Sequence, residues 1–344
     1  MDLYKQGLRP ILFRLDAELA HNMAKGMLRK SIFGRLFGGE NRFVRDERLK
    51  VRLGGLTIPN PVGLGAGFDK DCDMLNSFSR FGFGCIVAGS VMCDPRPGNP
   101  KPRMVRDPER EGLYSCMGLP SMGLDYAVKQ LHRRRSLVPL IINFNAEGLE
   151  DYLKCFERLQ PLGDALEIAL FCPNRPHDTG DFLSPPVAKM LLIELAKRKK
   201  KPVFIKFQGY RSEDERRKRL DLIETILRFP VDGLTISPGS LVEEKRLAIG
   251  RGTLTGRPNF QRMLSIVRDV YAFTKGKCPI KASGGIFTAD DAYEAIAAGA
   301  SSVEIHTGLI YEGWNIARNI NRGLLDLLNN NNIDNVQSLR GKKA

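Results

Sequence analysis

From residue 50 onward the chain alternates short runs rich in Val, Ile and Leu with longer amphipathic stretches. The short runs are PVGLGAG (61–67), CIVAGSV (85–91), LIINFNA (140–146), ALEIALF (165–171), PVFIKF (202–207), GLTISP (233–238), PIKASGG (279–285) and SSVEIHTG (301–308). Strands buried on both faces read as continuous apolar runs, whereas a helix covering them carries an apolar stripe at three- and four-residue spacing. Helical stretches follow most runs, among them 214–229, 260–275, 288–300 and 315–328. Eight β/α units in series predict an α/β fold, a (β/α)8 TIM barrel, in preference to an open doubly wound sheet.

The barrel is expected over 41–335, with an N-terminal helical extension over 1–40 and a basic tail over 336–344. In the extension, Leu3, Ile11, Leu12, Leu15, Leu19 and Met23 recur at near-helical spacing, with Lys and Arg between them. A helical pair resting on an anionic membrane surface has this pattern, and so does one that caps a core. No apolar run approaches the roughly 18–20 residues of a membrane span. Two connections are long, 92–121 and 237–259, and both follow predicted strands. Loops at that end of a barrel build the active site, and long insertions there cover a substrate.

Of the 344 residues 42% are hydrophobic, enough for one large core. The net charge of +14 suits anionic partners such as nucleic acid, anionic lipid or a phosphorylated ligand. Seven cysteines, an odd number with no CxxC pair, fit a reducing compartment better than a disulfide scaffold. With only four His and no paired ligand spacing, a zinc site is not expected. No signal peptide is evident, so the expected location is the cytoplasmic side, with peripheral membrane association.

Gly284-Gly285 closes the seventh run and Thr307-Gly308 the eighth. Bare backbone N–H groups there can wrap a phosphate, and barrel phosphate sites typically lie between these two strands. Lys70, Lys206 and Lys281 lie in or just after runs one, five and seven. A lysine inside a barrel is costly unless it meets an anion or a polarised ring. Asn143 and Asn174 sit near strand tips, where an amide either pairs with a heterocycle or forms a turn. The fourth run rises to Cys172, followed by Pro173 and Asn174: either a small apolar residue before a turn or a reactive group at the barrel mouth.

In LDAELAH (15–21), NPVGLGAGFDKD (60–71), FGFG (81–84), RPGNPKPR (96–103), MGLPS (117–121), CPN (172–174), SGGIFTADDA (283–292) and TGLIYEG (307–313), the chain resembles the dihydroorotate dehydrogenase family over most of its length. The resemblance implies an FMN-binding barrel that oxidises a dihydropyrimidine. It implies FMN phosphate on Gly284, Gly285, Thr307 and Gly308, and ring contacts from Ala66, Gly67, Ser90, Asn143 and Lys206. Ser237 and Gly256 are expected on the cofactor as well, and Lys70 between flavin and substrate. Cys172 matches the position of the catalytic base, and Ser115, Met117, Gly118, Leu119 and Asn174 match the substrate loop positions. A thiol has a reference pKa of about 8.5, so its surroundings must help it act as a base.

The chain mixes two branches of that family. Its N-terminal extension is similar to the quinone-linked, membrane-associated branch, whereas Cys172 and MGLPS are similar to the soluble branch; quinone is the expected acceptor. The family's substrate asparagines are mostly replaced, by Ser115, Ala169, Ser237 and Ser121, with Asn174 kept. A lost hydrogen bond of this kind costs on the order of 1–3 kcal/mol, so the expectation is a retained redox centre acting on a ring other than dihydroorotate, with authentic dihydroorotate oxidation as the alternative. Two further readings stand beside it. The tRNA-dihydrouridine synthases also pair a flavin barrel with Cys-Pro, but the segment after the eighth helix leaves no room for an RNA-binding domain. KASGGI is similar to the deoxyribose-phosphate aldolases, in which Lys206 and Lys281 would form a Schiff-base pair.

Overall fold

The computed structural model describes residues 2–171 and 183–344. The eight apolar runs form strands β1 (Val62–Leu64), β2 (Cys85–Val91), β3 (Leu140–Phe144), β4 (Ala165–Ala169), β5 (Val203–Gln208), β6 (Gly233–Ser237), β7 (Ile280–Ser283) and β8 (Ser302–Ile305). Each pairs in parallel with the next, and β8 returns to β1 with Val303 opposite Val62, closing the barrel. Every residue of β3, β4, β7 and β8 is buried, because helices cover the outside and side chains fill the inside.

Local chemistry starts the outer helices where the sequence reading places them. Ser212 accepts from the Glu215 N–H ahead of helix Glu213–Leu227, whose first turn carries three acids. Thr288 and Asp291 form a capping box ahead of helix Ala289–Ala297. Both devices satisfy N–H groups that a helix start leaves without partners. The amino-terminal end of the barrel is plugged by the hairpin Val51–Leu53/Leu56–Ile58, which buries Leu53 and Ile58 completely. Residues 336–344 pack back on the barrel, where Arg340 donates to the carbonyls of Gly299, Gly276 and Cys278.

The two long connections, read from sequence as loops, pair with each other. Strands Met104–Asp107, Gly112–Ser115, Arg251–Gly256 and Ser240–Glu243 make an antiparallel sheet with the second and third at its centre. This sheet stands beside the carboxyl ends of the barrel strands. Thr255 Oγ1 lies 2.9 Å from Thr307 Oγ1, which ties it to the start of the helix Thr307–Glu312 that follows β8.

The N-terminal extension forms helices α1 (Ala17–Arg29) and α2 (Ser31–Phe37), after shorter helical turns at Leu3–Leu8 and Arg9–Leu12. Asp16 caps α1 by accepting from the N–H groups of Glu18 and Leu19. The extension is tied to the barrel by Tyr4, whose hydroxyl donates to the Ile310 carbonyl at 2.5 Å, and by Arg9, which donates to the Tyr311 carbonyl at 2.9 Å. The Arg103 guanidinium donates from Nε and NH2 to the buried Glu18 carboxylate. Leu3, Ile11, Leu19, Met23, Ile32 and Leu36 nevertheless remain exposed. Among the described residues no helix is long and apolar enough to cross a membrane.

Candidate active site

At the carboxyl ends of the strands lies a cleft of about 260 Å³. It is lined by Ala66, Gly67 and Lys70 after β1, Ser90 on β2, Lys206 on β5, Ser237 on β6, Gly284 and Gly285 after β7, and Thr307 and Gly308 after β8. The antiparallel sheet and the loop beside it add Ser115, Met117, Gly118, Leu119 and Gly256. Ala169 also lines it, and its methyl group offers no hydrogen bond. Gly285 has φ +73°, and a Cβ there would meet Phe260 N at 2.8 Å; a Cβ on Gly308 would meet the Ile286 carbonyl oxygen at 2.5 Å. The Gly285 turn therefore requires glycine, and Gly308, in the first turn of the helix Thr307–Glu312, lets that helix run this close to its neighbour.

Asn143 is completely buried, one layer behind the cleft. Its side-chain oxygen accepts from the Ser90 hydroxyl, and its Nδ2 donates to Glu167 Oε1 at 2.7 Å. Cys172 and Asn174 lie outside the described residues.

A second cavity, of about 300 Å³ and mostly apolar, runs from the cleft to the N-terminal helices. Tyr4, Leu12, Phe13, Leu28, Phe33 and Trp314 are among its walls. The two cavities share Gly67, Lys70, Ser115, Met117 and His306, so the polar cleft opens into an apolar passage at that point. Lys70 Nζ donates to the Gly67 carbonyl at 2.5 Å. Burial, with the Lys25 charge next in size, pushes its pKa down to about 8. Burial, then the charges of Lys70 and Lys206, pushes His306 down to about 3; burial, then Lys70 and Lys25, does the same to His21. Both imidazoles are therefore neutral near pH 7, and the Phe68 ring lies between them, 4.9 Å from His306 and 6.2 Å from His21.

Beneath the cleft the barrel interior holds a charge cluster. Lys281 Nζ donates to Glu167 Oε2 at 2.5 Å and to Glu304 Oε1 at 2.8 Å, with no exposure to solvent. Burial opposes the ammonium, but the two carboxylates outweigh it and hold the Lys281 pKa above its ordinary value. An amine held protonated in this way is no Schiff-base nucleophile; in place of the Lys206–Lys281 pair of the alternative aldolase reading, each lysine faces Glu167, Lys206 at 4.0 Å. The sequence reading passed over Glu167, Glu304, Thr235 and His306. A signal was there: ALEIALF and SSVEIHTG each carry a carboxylate inside a run otherwise fit for full burial, and a buried charge requires a partner. Asn145, Gln208, Thr253, Thr255 and Asn259 also line the cleft without such a signal.

A parallel eight-stranded barrel with its cleft at the carboxyl ends of the strands, glycines just after β7 and β8 and an apolar side passage is the architecture of a TIM-barrel enzyme. The family model described as dihydroorotate dehydrogenase matches residues 48–328. The dihydroorotate dehydrogenase (quinone) of Roseiflexus castenholzii is 34% identical, over 98% of this chain and 96% of its own length. That of Deinococcus deserti is also 34% identical, over 99% of this chain and 100% of its own. Ligand-free DHODH from Eimeria tenella superposes with a TM-score of 0.84 at 30% identity, covering 95% of this chain and 99% of that one. The chain belongs to the dihydroorotate dehydrogenase family, whose members are FMN-dependent oxidoreductases acting on CH–CH groups.

Proposed function

We propose that this protein uses FMN to oxidise a CH–CH bond in a dihydropyrimidine-like ring and passes the electrons to a quinone, and that the ring is not dihydroorotate. The observation that carries the redox reading is the junction of a polar cleft with an apolar passage at Lys70 and His306. One cavity suits a polar ring and a phosphate, and the other suits a lipophilic acceptor arriving from the N-terminal helices.

The residues fit FMN. Gly284 and Gly285, on the turn after β7, and Thr307 and Gly308, at the start of the helix Thr307–Glu312, would hold its phosphate, and Ala66, Gly67, Ser90 and Lys206 would flank its ring, with Asn143 orienting Ser90. Ser237 and Gly256 complete the wall. Bound FMN supplies a two-electron acceptor. Lys70 brings a cation to the point shared by substrate cleft and passage, and it is mostly protonated below about pH 8. Neutral His21 and His306 each offer one N–H donor and one acceptor to a quinone without the cost of a buried charge. Cys172 is proposed as the base that removes the substrate proton, and Asn174 as the amide retained on the substrate. Proton removal by a positioned base contributes about 10²–10⁴ in rate. Met117, Gly118 and Leu119 close over the substrate side. The exposed apolar residues of the N-terminal helices support peripheral membrane contact, which would bring quinone to the mouth of the passage.

The divergent substrate rests on Ser115, Ala169 and Ser237, which all line the cleft. A hydroxyl reaches less far than an amide, and an alanine offers no hydrogen bond. Anaerobic addition of dihydroorotate to the yellow protein tests this reading: the flavin band is expected to persist, and rapid bleaching would restore dihydroorotate as the substrate. A short-chain quinone added anaerobically after chemical reduction is expected to return the colour faster than anaerobic buffer alone.

A further inference from the structure

The Glu167–Lys281–Glu304 cluster has no part in the proposed reaction. It is unusual in its asymmetry. Glu167 is fully served: Oε1 accepts from Asn143 at 2.7 Å, Oε2 accepts from Lys281 and from the Thr235 hydroxyl, each at 2.5 Å, and Lys206 stands at 4.0 Å. Glu304 has Lys281 on Oε1 alone, while Oε2 is buried without a hydrogen-bond partner. Glu304 is only 2% exposed and lines the cleft, with Oε2 next to the bare Gly65 Cα, so that a Cβ at Gly65 would meet it at 3.3 Å. Lys281, deeper in the barrel, does not line the cleft. The four charges balance in number, Lys206 and Lys281 against Glu167 and Glu304, but not in position. A cationic end faces the cleft from β5 and an anionic end faces it from β8.

A carboxylate with an unpartnered oxygen in a low-dielectric wall is costly and acts strongly on whatever lies across from it. Electrons added to a ring in the cleft meet that charge. We infer that Glu304 tunes the redox step: its carboxylate holds down the reduction potential of the flavin bound in the cleft, with Lys281 holding it in place through Oε1 at 2.8 Å. This rests on the reading of the cleft as an FMN site. Charge near a flavin ring is one of the few means by which a protein tunes that cofactor. The polarity is specific to this arrangement: a cluster ending in Lys281 at the cleft would raise the potential instead.

The test is the two-electron midpoint potential of the FMN-loaded full-length protein, measured anaerobically against a reference dye. Glu304→Gln, which keeps the shape and removes the charge, is expected to shift the potential upward by about 30 mV or more, a tenfold change in the two-electron equilibrium. Glu304→Asp keeps the charge and is expected to shift it by less than half as much. A smaller or downward shift in Glu304→Gln, or an equal shift in Glu304→Asp, overturns the inference. If Glu304→Gln does not fold, Glu304→Gln with Lys281→Met removes one buried charge of each sign, and the same upward shift is expected because the carboxylate is the nearer charge. A wild-type protein that takes up no FMN overturns the cofactor reading itself, a result distinct from an FMN-loaded protein whose potential ignores Glu304.

Discussion

Lys281 and Glu167 meet across the barrel interior, Nζ to Oε2 at 2.5 Å, from strands β7 and β4 that are not neighbours in the sheet. Both side chains are fully buried. Lys281→Met is expected to lower unfolding free energy by about 3–5 kcal/mol, because it leaves two buried carboxylates sharing no cation between them. Urea unfolding followed by tryptophan fluorescence reads this out. A loss under about 1 kcal/mol would mean that these ion pairs contribute little to the folded state.

Gly308→Ala places a methyl group 2.5 Å from the Ile286 carbonyl oxygen, so the start of the helix Thr307–Glu312 must move. FMN affinity, followed by flavin fluorescence quenching, is expected to fall at least tenfold, on the order of 1.4 kcal/mol. Gly148→Ala is the control, since nothing lies within 4 Å of a Cβ there, and should leave affinity unchanged.

Leu19, Ile32 and Leu36 are 52%, 59% and 68% exposed on the N-terminal helices. Replacing all three with Asp should leave folding and flavin reduction intact. Each buried apolar side chain contributes about 1.5–3 kcal/mol to leaving water, so binding to anionic liposomes is expected to drop more than tenfold in a flotation assay. Undiminished flotation would assign those residues to a contact other than lipid.

His21 and His306 are each held down to about pKa 3 in the folded protein, against an ordinary 6.5 unfolded. Above pH 6.5 both states carry neutral rings and the two histidines add no pH dependence. As pH falls below 6.5 the unfolded chain binds protons that the folded chain refuses, so stability falls until about pH 3. The slope is at most about 1.4 kcal/mol per pH unit for each histidine. The double variant His21→Gln, His306→Gln is expected to lose less stability than wild type between pH 7 and pH 5. Equal losses, by urea midpoints at both pH values, would show that the imidazoles charge freely in the folded state.

The barrel was legible because its signals are local. A parallel strand covered on both faces shows as a continuous apolar run, as in LIINFNA for β3, and its helix shows as a stripe with a cap, as at Thr288. The glycines that line the cleft were legible for the same reason: Gly284-Gly285 and Thr307-Gly308 are short motifs at consecutive strand ends. The antiparallel sheet was not, because Gly112–Ser115 pairs with Arg251–Gly256 across some 140 positions, and neither segment carries a pattern that names its partner.

What the amino-acid sequence determined by itself is the eightfold order of strands and helices, the family, and which side chains stand at the strand ends. Only the tertiary structure decided what those side chains do to one another. Closing the barrel turns Lys281 from a candidate nucleophile into a cation between Glu167 and Glu304, and leaves Glu304 Oε2 without a partner at the cleft. Docking α1 and α2 on the barrel joins an apolar passage to the cleft at Lys70 and His306. The physical reason is distance: burial and charge act through a few ångströms of space, and the chain reaches those distances only by bringing together residues far apart in sequence.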